Sequence, residues 1–120
     1  MITLLTGKKG SGKTKKLINL ANAAIETSKG CVVVIEKGLK LTYDISHKAR
    51  LVDSDAYTIK NADALFGFVS GICAGNYDVS DILIDSTLKI IDSDPAVIEK
   101  FVNNIKKLSE TDNVNVILSI

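Results

Sequence analysis

A run of glycines and lysines near the amino terminus carries the clearest chemical signal in this 120-residue chain. Gly7–Thr14 matches the phosphate-binding pattern G-x-x-x-x-G-K-[ST] at every fixed position. Its residues are Gly7, Lys8, Lys9, Gly10, Ser11, Gly12, Lys13 and Thr14. Glycines let successive backbone N–H groups turn inward around an anion, and a helix beginning near Lys13 adds the positive end of its dipole. The pattern predicts a site for the phosphates of a nucleotide.

Two side chains at the end of this segment have specific roles in such a site. Lys13 is expected to reach the β- and γ-phosphates, and the Thr14 hydroxyl is expected to be a ligand of Mg²⁺. Lys8 and Lys9 occupy variable positions of the pattern and are candidate nucleotide-binding residues, with solvated surface lysines as the alternative. A glycine-rich turn with a solvated lysine cluster is the structural alternative for the whole segment.

A carboxylate follows a second apolar run of the chain. Ile82, Leu83 and Ile84 have the composition of a buried strand, and Asp85 comes directly after them. This arrangement resembles the Walker B motif, in which the aspartate positions the water shell of the magnesium ion. We therefore expect Asp85 to lie near Thr14 and to bind Mg²⁺ through water.

Strands and helices alternate along the chain to position these residues. Helical spacing of apolar residues predicts helices at 13–28 and 61–74, and Asp94 with Pro95 marks the start of a third. Apolar, β-branched runs predict strands at 2–6, 31–35, 82–84 and 114–120. Uniformly apolar strands separated by helices are typical of a mainly parallel sheet covered on both faces, an α/β fold with three layers, α/β/α.

The segment between Glu36 and Ile59 has a different pattern. Leu39, Leu41, Tyr43 and Ile45 alternate with polar residues, and so, less regularly, do Asp55, Tyr57 and Ile59. Alternation of this kind predicts one or two short strands, of the sort that form a hairpin at a sheet edge. No linker divides the chain, so residues 1–120 are expected to form a single domain.

Taken together, the two motifs and the element order resemble the P-loop NTPases, and nearly the whole chain fits that fold. A strand between the P-loop strand and the Walker B strand resembles the additional-strand branch, which includes RecA-like and AAA ATPases. The resemblance extends more locally to the core of thymidine kinases and, over the whole chain, to small bacterial P-loop proteins. It implies a minimal P-loop nucleotide-binding core that lacks the fifth strand of RecA-like cores, or whose carboxyl-terminal segment is missing.

The resemblance also suggests roles for two further residues. Many additional-strand ATPases have a glutamate directly after the Walker B aspartate, whereas this chain has Ser86. RecA-like proteins instead use a glutamate near the end of the second strand, which makes Glu36 the candidate catalytic base. A surface carboxylate paired with Lys37 is the alternative for Glu36. Ser119 resembles the polar sensor residue that contacts the γ-phosphate.

Several nucleotide-binding classes are excluded by what the sequence lacks. Ser86, Thr87 and Leu88 follow Asp85 in place of a GTPase D-x-x-G, and N-K-x-D is missing, so ATP is the expected nucleotide. Two distant cysteines and one histidine do not form a zinc site of the thymidine-kinase type. Arg50 is the only arginine, too few for a kinase of the adenylate type. Fast hydrolysis would need an arginine from another subunit of a homo-oligomer or from a protein partner, unless Arg50 serves.

Charge and hydropathy restrict the partners and the location. Fifteen basic and 14 acidic residues leave a formal charge of +1, which gives no signal for nucleic-acid binding. No apolar stretch approaches the ~20 residues that span a bilayer, so we expect a cytoplasmic protein with no membrane partner.

The sequence thus predicts an ATP- and Mg²⁺-binding P-loop protein with weak or partner-stimulated ATPase activity. A nucleotide-sensing interaction module that does not hydrolyse ATP is one alternative. A phosphotransferase for a small, nucleoside-type substrate is another; its acceptor pocket would come from Leu39–Ile59, with Asp44 or Asp53 as the base.

Overall fold

The computed structural model describes residues 1–8 and 10–120, which form one sheet flanked by helices. The five strands are β1 (Ile2–Leu5), β2 (Cys31–Glu36), β3 (Arg50–Asp53), β4 (Val79–Ile84) and β5 (Asn115–Ser119). The α-helices are α1 (Lys13–Thr27), α2 (Ala62–Gly75) and α3 (Pro95–Asp112), and short 3₁₀ helices occur at Ser54–Tyr57 and Thr87–Lys89.

The strands are all parallel, in the order β1-β5-β4-β2-β3. Leu17 and Ala21 of α1 pack on one face of the sheet. Leu65 of α2 and Phe101 of α3 belong to the core on the other face. The predicted three-layer α/β/α fold with a parallel sheet is therefore confirmed.

Burial on both faces explains the composition of the central strands. Val32–Ile35 and Ile82–Ile84 are at most 3% exposed, because helices cover the sheet above and below them. Wholly apolar, β-branched sequences suit this environment, and the same runs predicted the strands. The structure extends β2 by one residue, to Glu36, and starts β4 three residues earlier than predicted, at Val79.

The segment between β2 and β3 does not contain the predicted hairpin. Residues 37–49 form successive turns, Ser54–Tyr57 is a 3₁₀ helix, and the single strand of the region, β3, is a parallel edge strand. Leu41 and Ile45 are buried against α1, whereas Leu39 and Tyr43 are 58% and 98% exposed. The spacing of four residues between the buried pair matches a turn whose Ile45 N–H donates to Leu41 O at 3.1 Å. The segment does contain one short edge strand, as predicted, but it lies at Arg50–Asp53 and not in the alternating residues 39–45. The hairpin prediction was wrong because every second residue was taken as buried.

Because the strands are parallel, their carboxyl ends meet at one edge of the sheet. The glycine loop Gly7–Thr14 follows β1, Glu36 ends β2, Asp85 follows β4 and Ser119 ends β5. The fold thus gathers the candidate residues on one side of the molecule. In the part of the chain that the structure describes, β1 is an edge strand with β5 as its neighbour, and no helix is long and apolar enough to cross a membrane.

Candidate functional site

The glycine loop joins β1 to α1 and leaves the start of that helix without a side-chain cap. Gly10 and Gly12 have φ angles of +85° and +89°, a region that favours glycine. Gly12 is the N-cap residue of α1 and has no side chain to accept from the first-turn N–H groups. These donors, together with the positive end of the helix dipole, form the kind of surface that binds an anion. Lys9 lies outside the described residues.

Lys13 joins the loop to the end of the neighbouring strand. Its ammonium donates to Gly7 O at 2.9 Å and to Ile120 O at 2.8 Å. The first acceptor follows β1 and the second follows β5, so the positive charge lies between the ends of two adjacent strands. The ammonium has three donors, and it is held at the mouth of the loop.

Thr14 and Asp85 meet as the sequence predicted, although they are 71 positions apart. The Thr14 hydroxyl donates to Asp85 Oδ1 at 3.1 Å, and the Ser86 hydroxyl donates to Asp85 Oδ2 at 3.2 Å. Asp85 is only 8% exposed. The two hydroxyls therefore orient a buried carboxylate toward the first turn of α1.

These oxygens suit a magnesium ion. Mg²⁺ prefers oxygen ligands, retains several water molecules and commonly shares one or two protein ligands with substrate phosphates. Thr14 and Asp85 supply a hydroxyl and a carboxylate next to the uncapped helix start. Within residues 1–8 and 10–120, no group of three or more His, Cys, Asp or Glu side chains could hold a metal alone. A cation here would need phosphate and water oxygens to complete its coordination.

Two adjoining cavities lie over this arrangement. The larger, of about 620 Å³, is lined by Gly10 and Gly12 of the loop, by the start of α1 from Lys13 to Lys15, and by Ser119 and Ile120 at the end of β5. The smaller, of about 150 Å³, is lined by Glu36, Asp85 and the turn after β2. Three of the described residues, Thr14, Ser86 and Lys89, line both cavities. The larger cavity therefore lies over the glycine loop, and the smaller one lies beside the Asp85 carboxylate.

Glu36 lies in the smaller cavity, but its carboxylate is already engaged. It is 2% exposed, and its two oxygens accept from the Lys40 and Leu41 N–H groups at 3.0 Å each. Burial raises the pKa of Glu36; the two backbone donors oppose the rise, and the charges of Asp85 and Asp53 add to it. The carboxylate thus stabilises the turn after β2 through two backbone hydrogen bonds. Its role as catalytic base stays a prediction.

Ser119 occupies the position expected for a polar residue beside the loop. It is 2% exposed, pairs in register with Leu5 at the end of β1, and lines the larger cavity. Lys8 is exposed, and its carbonyl accepts from Ser11 N at 3.0 Å, which closes a turn in the loop.

The remaining candidates lie away from the two cavities. Arg50 stands at the amino end of β3, where its guanidinium donates to Tyr57 Oη at 3.3 Å. It lines a separate groove between β3 and α2, not the site at the carboxyl edge. Asp53 accepts from Gly38 N and Asp55 N, and Asp44 is exposed on the turns that pack against α1. In the described structure neither aspartate lines either cavity.

Sequence reasoning missed Lys89 and the contribution of Ser86. Lys89 follows Asp85 by four positions in a stretch that matches no motif. Its position in both cavities depends on the turn at Ser86, whose φ is +48°, and on the 3₁₀ helix that follows. A sequence pattern carries no signal for that geometry.

Comparison of the chain with models of known protein families found no match, and comparison with curated proteins also found none.

Proposed function

We propose that this protein binds ATP with Mg²⁺ at the carboxyl edge of its sheet and is a P-loop NTPase with weak or partner-stimulated ATPase activity. The triphosphate would lie on the glycine loop in the larger cavity, with Lys13 on its β- and γ-phosphates. Thr14 would bind the magnesium ion directly, and Asp85 would bind it through water.

The order of the strands supports the assignment to the additional-strand branch. In that branch a strand separates the P-loop strand from the Walker B strand. Here β5 lies between β1, which precedes the glycine loop, and β4, which precedes Asp85. This arrangement places Ser119 and Ile120 beside the loop, where a sensor residue would contact the terminal phosphate.

The contact between Thr14 and Asp85 carries the proposal. A glycine-rich turn with no ligand does not require a buried carboxylate aimed at the first turn of the following helix. Two hydroxyl hydrogen bonds offset part of the cost of burying the Asp85 carboxylate, and a bound cation would offset more of it. The arrangement of hydroxyl, carboxylate and uncapped helix start is what a magnesium–phosphate group needs.

Binding of a fluorescent ATP analogue tests the proposal directly. We expect the wild-type protein to bind it with Mg²⁺, and to bind it much more weakly when the metal is chelated. Lys13→Ala should abolish binding, because it removes the charge at the mouth of the loop. The matched control is Lys107→Ala, which removes an exposed charge on α3. Equal binding by Lys13→Ala and wild type would refute the proposal.

The hydrogen bonds of Glu36 favour a second function, that of a nucleotide-sensing module that does not hydrolyse ATP. Both oxygens of its carboxylate accept backbone N–H groups, which leaves it poorly disposed to take a proton from an attacking water. Ser86 follows Asp85 where a base would stand in many related ATPases.

Steady-state phosphate release separates the two functions. An ATPase would release phosphate in a Lys13-dependent way. Loss of that turnover in Glu36→Gln, with nucleotide affinity and melting temperature unchanged, would identify Glu36 as the base. Nucleotide binding without phosphate release, both for the protein alone and with candidate partners, would favour the sensor. Turnover that survives Glu36→Gln would exclude Glu36 as the base while keeping the ATPase.

A further inference from the structure

We propose that Lys89 is a further residue that recognises the terminal phosphate, in addition to Lys13 and Ser119, so that it helps to distinguish a nucleoside triphosphate from a diphosphate within one chain. The inference rests on the proposed function and adds to it a specificity residue that matches no motif. The site needs a cationic side chain for the terminal phosphate, and the only arginine of the chain cannot supply it from the groove between β3 and α2.

The position of Lys89 is the first support. With Thr14 and Ser86 it lines both cavities, so it borders the space over the glycine loop and also the space beside Asp85. A triphosphate whose β-phosphate lies at the start of α1 would direct its last phosphate toward the magnesium ligands Thr14 and Asp85. Lys89 stands on that side of the site.

The backbone that carries Lys89 is fixed, which is the second support. Ser86 turns the chain in a left-handed conformation, with φ of +48°, and Lys89 N donates to Ser86 O at 2.9 Å. Thr87 is fully buried, and Ile90 and Ile91 are each 4% exposed in the core. Lys89 is therefore an exposed residue on a 3₁₀ turn whose neighbours are anchored in the core.

The other lysines of the larger cavity are placed differently. Lys13 donates to the carbonyls of Gly7 and Ile120 at the mouth of the loop. Lys15 lies on the first turn of α1 and lines the larger cavity but not the smaller one. Among the lysines that the structure describes, Lys89 is the one that borders both spaces, and an ammonium there can donate to phosphate oxygens as a compact charge.

The test compares affinities for a non-hydrolysable ATP analogue and for ADP, each with Mg²⁺. Lys89→Met keeps the aliphatic stem and removes the charge. We expect this variant to bind the ATP analogue about tenfold more weakly than wild type does, because it loses one charged hydrogen bond. Its affinity for ADP should stay within about twofold of wild type. Lys89→Arg should restore most of the triphosphate affinity.

Two control variants separate a specific contact from a general loss of charge. Lys15→Met, from the same cavity, should change ATP-analogue and ADP affinity by the same factor. Lys106→Met, on the exposed face of α3, should change neither. Circular dichroism checks that each variant is folded, and Lys89→Gln provides a second neutral variant.

An equal loss of affinity for both nucleotides in Lys89→Met, or no loss for either, would overturn the inference. So would a lowered melting temperature with an unchanged ratio of the two affinities, since a purely structural role predicts that result. If the wild-type protein binds both nucleotides and Lys13→Ala binds neither, these outcomes reject the role of Lys89 alone. If the wild-type protein binds no nucleotide, the proposed function fails and this inference fails with it.

Discussion

The carboxyl group of Glu36 is subject to opposing influences. Burial in the smaller cavity and the nearby charges of Asp85 and Asp53 raise its pKa above the ordinary value of 4.5. The N–H groups of Leu41 and Lys40 favour the charged form and so lower the pKa, but the net shift of the pKa is upward. The folded protein therefore holds this proton to a higher pH than the unfolded chain does.

That difference predicts how stability changes with pH. Just above pH 4.5 the folded state binds more protons at Glu36 than the unfolded state, so the free energy of unfolding falls as the pH rises. Glu36→Gln has no proton to release at this position. The difference in free energy of unfolding, wild type minus Glu36→Gln, should therefore decrease between about pH 4 and pH 7.

Urea unfolding of both proteins, followed by circular dichroism across that pH range, measures the difference. Glu99→Gln, which removes an exposed carboxylate from α3, is the matched control for the loss of one negative charge. A difference that increases with pH would mean that the backbone donors outweigh burial at Glu36.

At this scale the sequence predicted part of the candidate site. The contact between Thr14 and Asp85 could be expected, because each residue belongs to a motif and parallel strands end at one edge. The engagement of Glu36 could not, because it depends on the path of the turn after β2. Lys89 was missed because its position depends on the left-handed turn at Ser86.

The three helices differ in whether a side chain caps their first turn. Asn61 Oδ1 accepts from Ala64 N at 2.8 Å at the start of α2, and Asp94 Oδ1 accepts from Ala96 N at 3.0 Å at the start of α3. Gly12 offers no such acceptor to α1. The two capped helices satisfy a first-turn donor with a side chain, whereas the first-turn donors of α1 have no side-chain cap and are free for the proposed phosphate.

Removal of a cap should therefore cost stability at α3. We expect Asp94→Ala to lower the free energy of unfolding by about 1 kcal/mol, the usual cost of losing an N-cap side chain. Guanidinium unfolding at neutral pH measures the change. Glu99→Ala, an exposed substitution on the same helix, should change it by no more than about 0.5 kcal/mol. Equal effects of the two substitutions would show that the hydrogen bond to Ala96 contributes nothing measurable.

The elements that the sequence predicted well are those whose burial is uniform. Val32–Ile35 and Ile82–Ile84 are covered on both faces of the sheet, so every residue in them is buried and apolar. The segment from 37 to 49 packs beside α1, where Asn22 donates to Asp44 O and accepts from Ser46 N. Its buried residues are selected by contact with one helix, and short-range alternation cannot reveal such a contact.

At the scale of the whole molecule, the candidate site joins parts of the chain that are distant in sequence. The Thr14 hydroxyl connects α1 to the end of β4, and the Lys13 ammonium connects it to the end of β5. Each contact spans much of the chain, and each involves a residue of the proposed ligand site. A ligand bound there would contact the loop after β1, the turn after β4 and the end of β5 together.

A ligand that bridges these segments should stabilise the whole domain, because it binds the folded state and not the unfolded chain. At a concentration 100 times its dissociation constant, a ligand adds about 2.7 kcal/mol to the free energy of unfolding. For a domain of this size that corresponds to a rise in melting temperature on the order of 10 °C. We expect a rise of this size for the wild-type protein with an ATP analogue and Mg²⁺, measured by thermal unfolding. Lys13→Ala with the same ligand should show no rise, and an equal rise with Mg²⁺ alone would mean that the metal binds without a nucleotide.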